Sequence, residues 1–86
     1  MTPYSVCFKA SVEKDLRRIP ATARDRCLER IDLLRGDPRP RGVTRLTGSD
    51  RTYRLRVGAY RVVYQIDDDE RVLVVEYVRH RKDAYR

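Results

Sequence analysis

A Gly-Ala pair at positions 58 and 59 constrains the fold more than any other feature of the chain. It separates two runs, Tyr53–Val57 and Tyr60–Ile66, in which side chains alternate in character. Alternation of this kind predicts β-strands, and a Gly-X pair between two strands is typical of a two-residue type II′ turn. The sequence therefore predicts an antiparallel hairpin whose register is fixed by the turn.

That register assigns every side chain of the hairpin to one of two sides, because pleating alternates them along each strand. One side is apolar and aromatic, and we expect it to pack on helices: Tyr53, Leu55, Val57, Tyr60, Val62 and Tyr64. The other side holds Arg54, Arg56 and Arg61, with Arg56 directly opposite Arg61. Like charges in opposed positions destabilise a sheet by up to about 1 kcal/mol. This patch therefore indicates a bound anion, and the alternative is a solvated basic face without chemistry.

The remaining segments complete an α+β fold. Residues 4–9 alternate like a strand, and two helices follow, the first capped by Ser11 and ended by Pro20, the second capped by Thr22 and ended at Gly36. Residues 42–52 predict a loop or short edge strand, and residues 71–78 a further strand. We predict one domain over residues 1–86, with an N-terminal strand, a helical hairpin and then a twisted, mostly antiparallel sheet of three to four strands.

Positive charge is concentrated in the hairpin and the segment before it. The chain has a net charge of +7, and residues 38–61 contain seven arginines and one acidic residue. Arginine presents a planar fork of donors that matches phosphate, so a nucleic acid or an acidic protein is the expected partner. Beyond the patch, the candidate RNA-binding residues are Arg45, Arg51, Arg81 and Lys82.

No pattern in the sequence predicts a metal, a cofactor or a membrane segment. Cys7 and Cys27 are far apart in the chain, without a CxxC motif or a cluster with histidine, so both are interpreted as small buried residues in a reducing compartment. No apolar run approaches the roughly 18 residues that a membrane span needs, and no signal peptide is recognisable. We expect a cytoplasmic protein.

Four segments resemble the RelE/ParE toxin superfamily. They are SVEKDLRRIP, RIDLLRGDPRPRGVTRLTG, YRLRVGAYRVVYQID and VVEYVRHRKDAYR, which together span nearly the whole chain in the family's order. The most specific pieces are the RVGAYRVVY hairpin and the HRKDAYR end.

The resemblance implies a microbial-RNase-like fold and the toxin of a type II toxin–antitoxin system. It implies a ribosome-dependent, metal-independent endoribonuclease that cleaves mRNA in the ribosomal A site. It also implies a RelB-like antitoxin that wraps the toxin and that alone contacts operator DNA. By position, Arg54 and Arg56 match two basic strand positions of the family's site, and Arg61 matches the arginine at the scissile phosphate. Arg79, or Arg81 if the tail is shifted, matches a second phosphate-binding arginine, and Tyr85 matches the C-terminal tyrosine that orients the substrate.

Metal-free RNA cleavage needs stabilisation of charge, a general base and a general acid. Arginine stabilises charge but cannot release its proton, and the best-studied members have lysine at the positions of Arg54 and Arg56. His80 is the only imidazole in the chain and is our first candidate for the base or acid. Tyr85 is a candidate acid or stacking group, and Glu76 is a lesser candidate base.

Two other functions fit the same residues. One is a ParE-like toxin that inhibits DNA gyrase and has no nuclease activity. The other is a binding module that keeps the arginine patch for an antitoxin or nucleic acid without chemistry.

Overall fold

Two helices cover one side of a five-stranded sheet in the structure, a computed structural model that describes residues 3–83. The elements, in chain order, are β1 (Ser5–Phe8), α1 (Ala10–Arg17), α2 (Ala21–Leu33), β2 (Thr44–Arg45), β3 (Thr52–Val57), β4 (Tyr60–Asp67) and β5 (Val72–His80). The strand order is β1-β5-β4-β3-β2, with β1 parallel to β5 and every other pair antiparallel.

The α+β class is confirmed, but the strand count of three to four was too low. Two edge strands account for the difference, because β1 joins β5 in parallel and the two residues of β2 pair with β3. Both pairings join segments that are distant in sequence or very short, so no local pattern indicates them. No helix in the described part of the chain is long and apolar enough to cross a membrane.

The predicted hairpin register is confirmed at every pair from Val57 opposite Tyr60 to Tyr53 opposite Tyr64, and the ladder continues to Thr52 opposite Gln65. Gly58 has a φ of 58°, which a glycine adopts without the steric cost of a Cβ. Ala59 is not among the residues with positive φ, so the turn has the left-handed residue only at its first central position, as type II′ requires.

The core lies between the helices and the predicted apolar side of the hairpin. Leu55, Val57, Val62 and Tyr64 are buried there, while Tyr53 and Tyr60 are partly buried against them. The helices and the flanking strands add Val12, Cys27, Ile31, Leu34, Leu73, Val75 and Val78. Each such side chain contributes about 1.5–3 kcal/mol by leaving water. On the opposite side of the sheet, which we call the helix-free face, no helix formed by residues 3–83 is packed.

The predicted helix boundaries differ from the observed ones by one or two residues. Lys9 and Pro20 occupy the N-cap positions, and neither helix has a side-chain cap, so Ser11 and Thr22 do not cap. Gly36 does not have the positive φ expected of a left-handed cap, because α2 ends at Leu33 and its C-cap residue, Leu34, is right-handed.

The two cysteines have different environments. Cys27 is fully buried as expected, and burial raises the pKa of its thiol. Cys7 is exposed, contrary to the expectation of a buried residue. The reason is its place in β1, an edge strand, on the face opposite the helices.

A β-bulge in β5 changes which residues of that strand face the helices. Tyr64 pairs with Val75 and Val63 pairs with Tyr77, so Glu76 is left without a partner in the ladder. Val75 and Val78 are both buried in the core although three positions separate them. Tyr77 and Arg79 therefore lie on the helix-free face.

A polar network ties the loop after α2 to the β4–β5 turn. Arg39 donates two hydrogen bonds to the Asp68 carboxylate, at 3.2 and 2.7 Å, and the Tyr4 hydroxyl donates to Asp68 at 2.5 Å. The bonds from Arg39 and then Tyr4 lower the pKa of Asp68 to about 2. Nearby, the buried Tyr64 hydroxyl donates to the carbonyl of Pro38 at 2.7 Å.

We expect Asp68→Asn to make stability less sensitive to acid. A carboxyl whose pKa is lower in the folded state stabilises the fold above its unfolded pKa of about 3.9, and this contribution is lost as pH falls toward 2. Urea unfolding between pH 6 and pH 2 should therefore give a flatter profile for Asp68→Asn than for the wild type. Asp69→Asn is the control, because Asp69 makes no hydrogen bond within residues 3–83. Parallel profiles for wild type and Asp68→Asn would exclude this role.

Candidate nucleic-acid interface

Three arginines line up across the helix-free face. Arg56 in β3 lies opposite Arg61 in β4, which in turn lies opposite Arg79 in β5. We call these three residues the arginine row. Neighbouring strands are about 4.8 Å apart, so three positive charges share a short line across the centre of the sheet. None of the three forms an ion pair with a carboxylate within residues 3–83.

Arg61 is the central and most constrained member of the row. Its exposed fraction is only 5%, a burial that the sequence did not indicate. Its Nη1 donates to the carbonyls of Gly58 and Tyr60, at 3.1 and 2.8 Å, so the hairpin turn holds the guanidinium in place. Its buried Nε has no hydrogen-bond partner in the described part of the chain. Leaving such a donor unpaired costs about 1–3 kcal/mol, so the fold keeps this guanidinium in place at a cost in stability.

The other arginines in and beside the row differ in exposure. Arg56 and Arg79 are exposed, and the Arg79 guanidinium lies 4.1 Å from the centroid of the Tyr77 ring. Arg54 is half-buried beside the row, opposite Val63. The row therefore combines one fixed, buried guanidinium with exposed ones on either side.

The predicted tail residues start beside the hairpin turn. The backbone N–H of Arg81 donates to the carbonyl of Ala59 at 2.7 Å, which places Arg81 next to the turn that holds Arg61. Arg81 and Lys82 are both exposed. Tyr85 lies outside the described residues.

Two predicted RNA-binding residues are not brought to the row. Arg45 in β2 lies opposite Tyr53, whose side chain packs on the helix side of the sheet. Arg51 lies just before β3 and is exposed. Arg45 is in the edge strand β2, and Arg51, whose carbonyl accepts a hydrogen bond from the Ile66 N–H of β4, lies at the end of the hairpin far from the Gly58–Ala59 turn.

His80 is also separated from the arginine row. It is the last residue of β5 and lies opposite Tyr60, whose ring it meets edge-on at 5.4 Å. It shares the helix side with Val78, and its Nδ1 accepts a hydrogen bond from the Lys82 backbone N–H at 3.2 Å. The structure therefore places the imidazole and the row on opposite sides of the sheet.

We expect His80→Gln to retain toxicity within about threefold of the wild type. Loss of a general base costs typically 10²–10⁴-fold in rate, whereas a side chain on the helix side does not reach RNA on the helix-free face. Growth arrest after induction, together with the amount of folded protein, measures the effect. A loss of a hundredfold or more in a folded variant would assign His80 to catalysis.

Glu76, the lesser candidate base, forms an ion pair with Lys9 across β1 and β5. Its side chain is 12% exposed; one carboxylate oxygen pairs with Lys9, and the other, Oε1, is buried without a hydrogen-bond partner among the described residues. Within residues 3–83, no group of three or more His, Cys, Asp or Glu side chains is placed to hold a metal ion.

Sequence reasoning missed Tyr77, which lies next to the arginine row. Strict alternation in β5 would not place Tyr77 and Val75 on opposite faces of the sheet. The bulge at Glu76 reverses which face of the sheet the following side chains of β5 occupy. A bulge of this kind has no reliable sequence signal, because it depends on cross-strand packing.

Comparison with known proteins gives consistent matches over nearly the whole chain. Residues 6–85 match the family described as ParE toxin of type II toxin–antitoxin system, parDE. The putative toxin RelE1 of Methanocaldococcus jannaschii is 33% identical, over 96% of each chain, and toxin RelG of Mycobacterium tuberculosis is 34% identical, over 98% of each. Among solved structures, the archaeal RelE–RelB complex from Pyrococcus horikoshii matches with a TM-score of 0.83 and 34% identity, covering 98% of this chain and all of the other.

Proposed function

Because the chain belongs to the RelE/ParE toxin superfamily of type II toxin–antitoxin systems, we propose that it is a ribosome-dependent endoribonuclease that cleaves mRNA in the ribosomal A site. The observation that supports this most is the arginine row, Arg56–Arg61–Arg79, on the helix-free face. RNA cleavage builds negative charge on the phosphate in the transition state, and fixed cationic donors stabilise that charge without having to reorganise.

The proposed reaction is an internal transesterification. The 2′ oxygen attacks the adjacent phosphorus and the bond from phosphorus to the 5′ oxygen breaks. In net, the proton of the 2′ hydroxyl passes to the 5′ oxygen, so the products are a 2′,3′-cyclic phosphate and a 5′ hydroxyl. Arg61 binds the scissile phosphate through its guanidinium, which the carbonyls of Gly58 and Tyr60 hold in place. Arg54 and Arg56 add positive potential, Arg79 or Arg81 supplies the second phosphate contact, and Tyr85 orients the substrate or protonates the leaving oxygen. The arginines stay protonated throughout, so they stabilise charge and do not remove the 2′ proton.

The proposed partner is a RelB-like antitoxin. The Pyrococcus horikoshii relative was solved as a complex of RelE with RelB, and an 86-residue chain with a net charge of +7 is suited to an acidic partner. The antitoxin neutralises the toxin by covering the arginine row, and operator DNA is contacted only through the antitoxin. The site of action is the cytoplasm, where ribosomes and mRNA are found.

Mapping transcript 5′ ends tests the proposed nuclease directly. The purified chain is added to translating and to non-translating extracts, and new 5′ ends are located relative to codons. We expect cuts in phase with codons, only during translation, and with 5′-hydroxyl ends. Arg61→Ala is the matched control and should give no cuts.

A second assay tests the alternative that the chain inhibits gyrase, since the matching family is described by its ParE toxins. Gyrase supercoiling is assayed with the same protein. Inhibited supercoiling with intact mRNA would replace the proposal with the gyrase function. Intact mRNA together with normal supercoiling would indicate a binding module without chemistry.

A further inference from the structure

Tyr77 occupies a different environment from the other described tyrosines. Tyr4, Tyr53, Tyr60 and Tyr64 all belong to the core cluster or pack against it. Tyr77 is absent from that cluster and lies opposite Val63 on the helix-free face. It is the one aromatic side chain that residues 3–83 place on this face.

The β-bulge is what brings Tyr77 to this position. If the pairing of Tyr64 with Val75 continued without interruption, Glu76 would lie opposite Val63, and Val78 would lie opposite Arg61. The extra residue instead places Tyr77 and Arg79 there. Bulges are found where a strand has to re-aim a side chain near a functional site. This one replaces an acid with a ring beside the arginine row, and an aliphatic residue with a guanidinium in the row itself.

Tyr77 and Arg79 form a packed pair with an exposed surface. The Arg79 Cζ lies 4.1 Å from the Tyr77 ring centroid. The side chain of Arg79 is exposed and makes no hydrogen bond or ion pair with the described residues. Its position is thus set by the ring, and its outer surface is open to a ligand. Aromatic rings and arginine planes are the groups on which proteins stack unpaired bases.

The spacing between this pair and Arg61 matches a nucleotide. Arg61 lies directly opposite Arg79 and diagonally opposite Tyr77, and diagonal neighbours on adjacent strands are about 7–8 Å apart. One nucleotide covers that distance from its phosphate to its base. A phosphate at Arg61 therefore leaves an adjacent base over the Tyr77–Arg79 pair.

We propose that Tyr77 and Arg79 form a stacking platform for a nucleobase of the RNA whose phosphate lies at Arg61, an inference that rests on the proposed function. Arg79 then contacts the base, and Arg81, next to the hairpin turn, becomes the second phosphate contact. The platform is sequence-tolerant, because every base presents a flat face to it.

Two RNA analogues of equal charge test the platform. One is a fluorescent 2′-O-methyl hexa-adenylate, which cannot be cleaved, and the other is the same hexamer with abasic sugars throughout. The ratio of their dissociation constants, from fluorescence anisotropy, isolates the contribution of the bases. For the wild type we expect the abasic hexamer to bind about 5- to 150-fold more weakly.

Three variants locate that contribution. Tyr77→Leu should reduce the ratio at least threefold, whereas Tyr77→Phe, which keeps the ring, should leave it within twofold of the wild type. Arg79→Lys keeps the charge but loses the plane, so it should also reduce the ratio, and it does not depend on Tyr77→Leu folding. Circular dichroism and thermal unfolding check each fold.

An equal ratio in the wild type and both disrupting variants would overturn the platform. The proposed function would then still stand if the wild type cleaves mRNA in translating extracts. Equal binding of the two hexamers by the wild type would overturn the platform as well. Loss of mRNA cleavage with the base dependence retained would count against the nuclease alone.

Discussion

Arg61→Ala is expected to abolish growth arrest while leaving the domain folded. Arg61 is the only member of the arginine row held by hydrogen bonds to the backbone of the turn, and its buried Nε has no partner within residues 3–83. Removing one positioned donor of a developing oxyanion costs about 10²–10³-fold in rate. A fully charged, fixed guanidinium at the phosphate should lie at the upper end of that range or beyond it.

The stability of Arg61→Ala should change little. The variant loses two hydrogen bonds, worth about 0.5–1.5 kcal/mol each, but it also removes the buried unpaired Nε. The carbonyls of Gly58 and Tyr60 are at a turn, where water can replace the arginine. Induction assays, single-turnover cleavage and thermal unfolding should be measured together. Arg30→Ala, which removes the same charge from the exposed surface of α2, is the control. Wild-type toxicity in Arg61→Ala would defeat the site assignment.

Tyr64→Ala is expected to unfold the domain or nearly so. Tyr64 is fully buried in the core, its ring lies 6.0 Å from that of Tyr53, and its hydroxyl holds the loop after α2 through Pro38. Truncation of a large buried aromatic side chain costs about 3–5 kcal/mol. A domain of 86 residues is expected to have about 4–13 kcal/mol in total.

Tyr64→Phe separates packing from hydrogen bonding at the same position. It keeps the ring and leaves the Pro38 carbonyl without its donor, so a loss of about 1 kcal/mol is expected. Urea unfolding of the two variants and the wild type gives the loss in the free energy of unfolding for each variant. If Tyr64→Ala lost no more than Tyr64→Phe, the ring would not be a core element.

The hairpin could be predicted residue by residue because its register depends only on local chemistry. Gly58 can adopt the positive φ that the turn requires, and a two-residue turn allows only one register. The helix-facing stripe of α2 was predicted for a similar reason, since Cys27, Ile31 and Leu34 recur at helical spacing and are all buried. Resemblance to a known family extended this local information to the whole chain.

Features set by contacts between distant segments were not predicted. The parallel pairing of β1 with β5 joins residues more than 60 positions apart, and it exposes Cys7. The burial of Arg61 depends on its neighbours across two strands. The position of Tyr77 depends on a bulge, and the bulge also decides which face of the sheet His80 occupies. Pattern alone could place His80 only in a polar tail, whereas the structure pairs it with Tyr60.

The salt dependence of RNA binding tests the central claim most directly, because each phosphate contacted by a cation adds about 0.7 to the slope of log affinity against log salt for single strands. The non-cleavable hexa-adenylate is titrated with the wild type, Arg56→Gln and Arg30→Gln over a range of salt concentrations. Both variants lose one positive charge, but only Arg56 lies in the arginine row. If the row binds phosphate, Arg56→Gln should lower the magnitude of the slope by about 0.7, while Arg30→Gln leaves it unchanged. Equal slopes for Arg56→Gln and the wild type would contradict an RNA phosphate site on this face of the sheet.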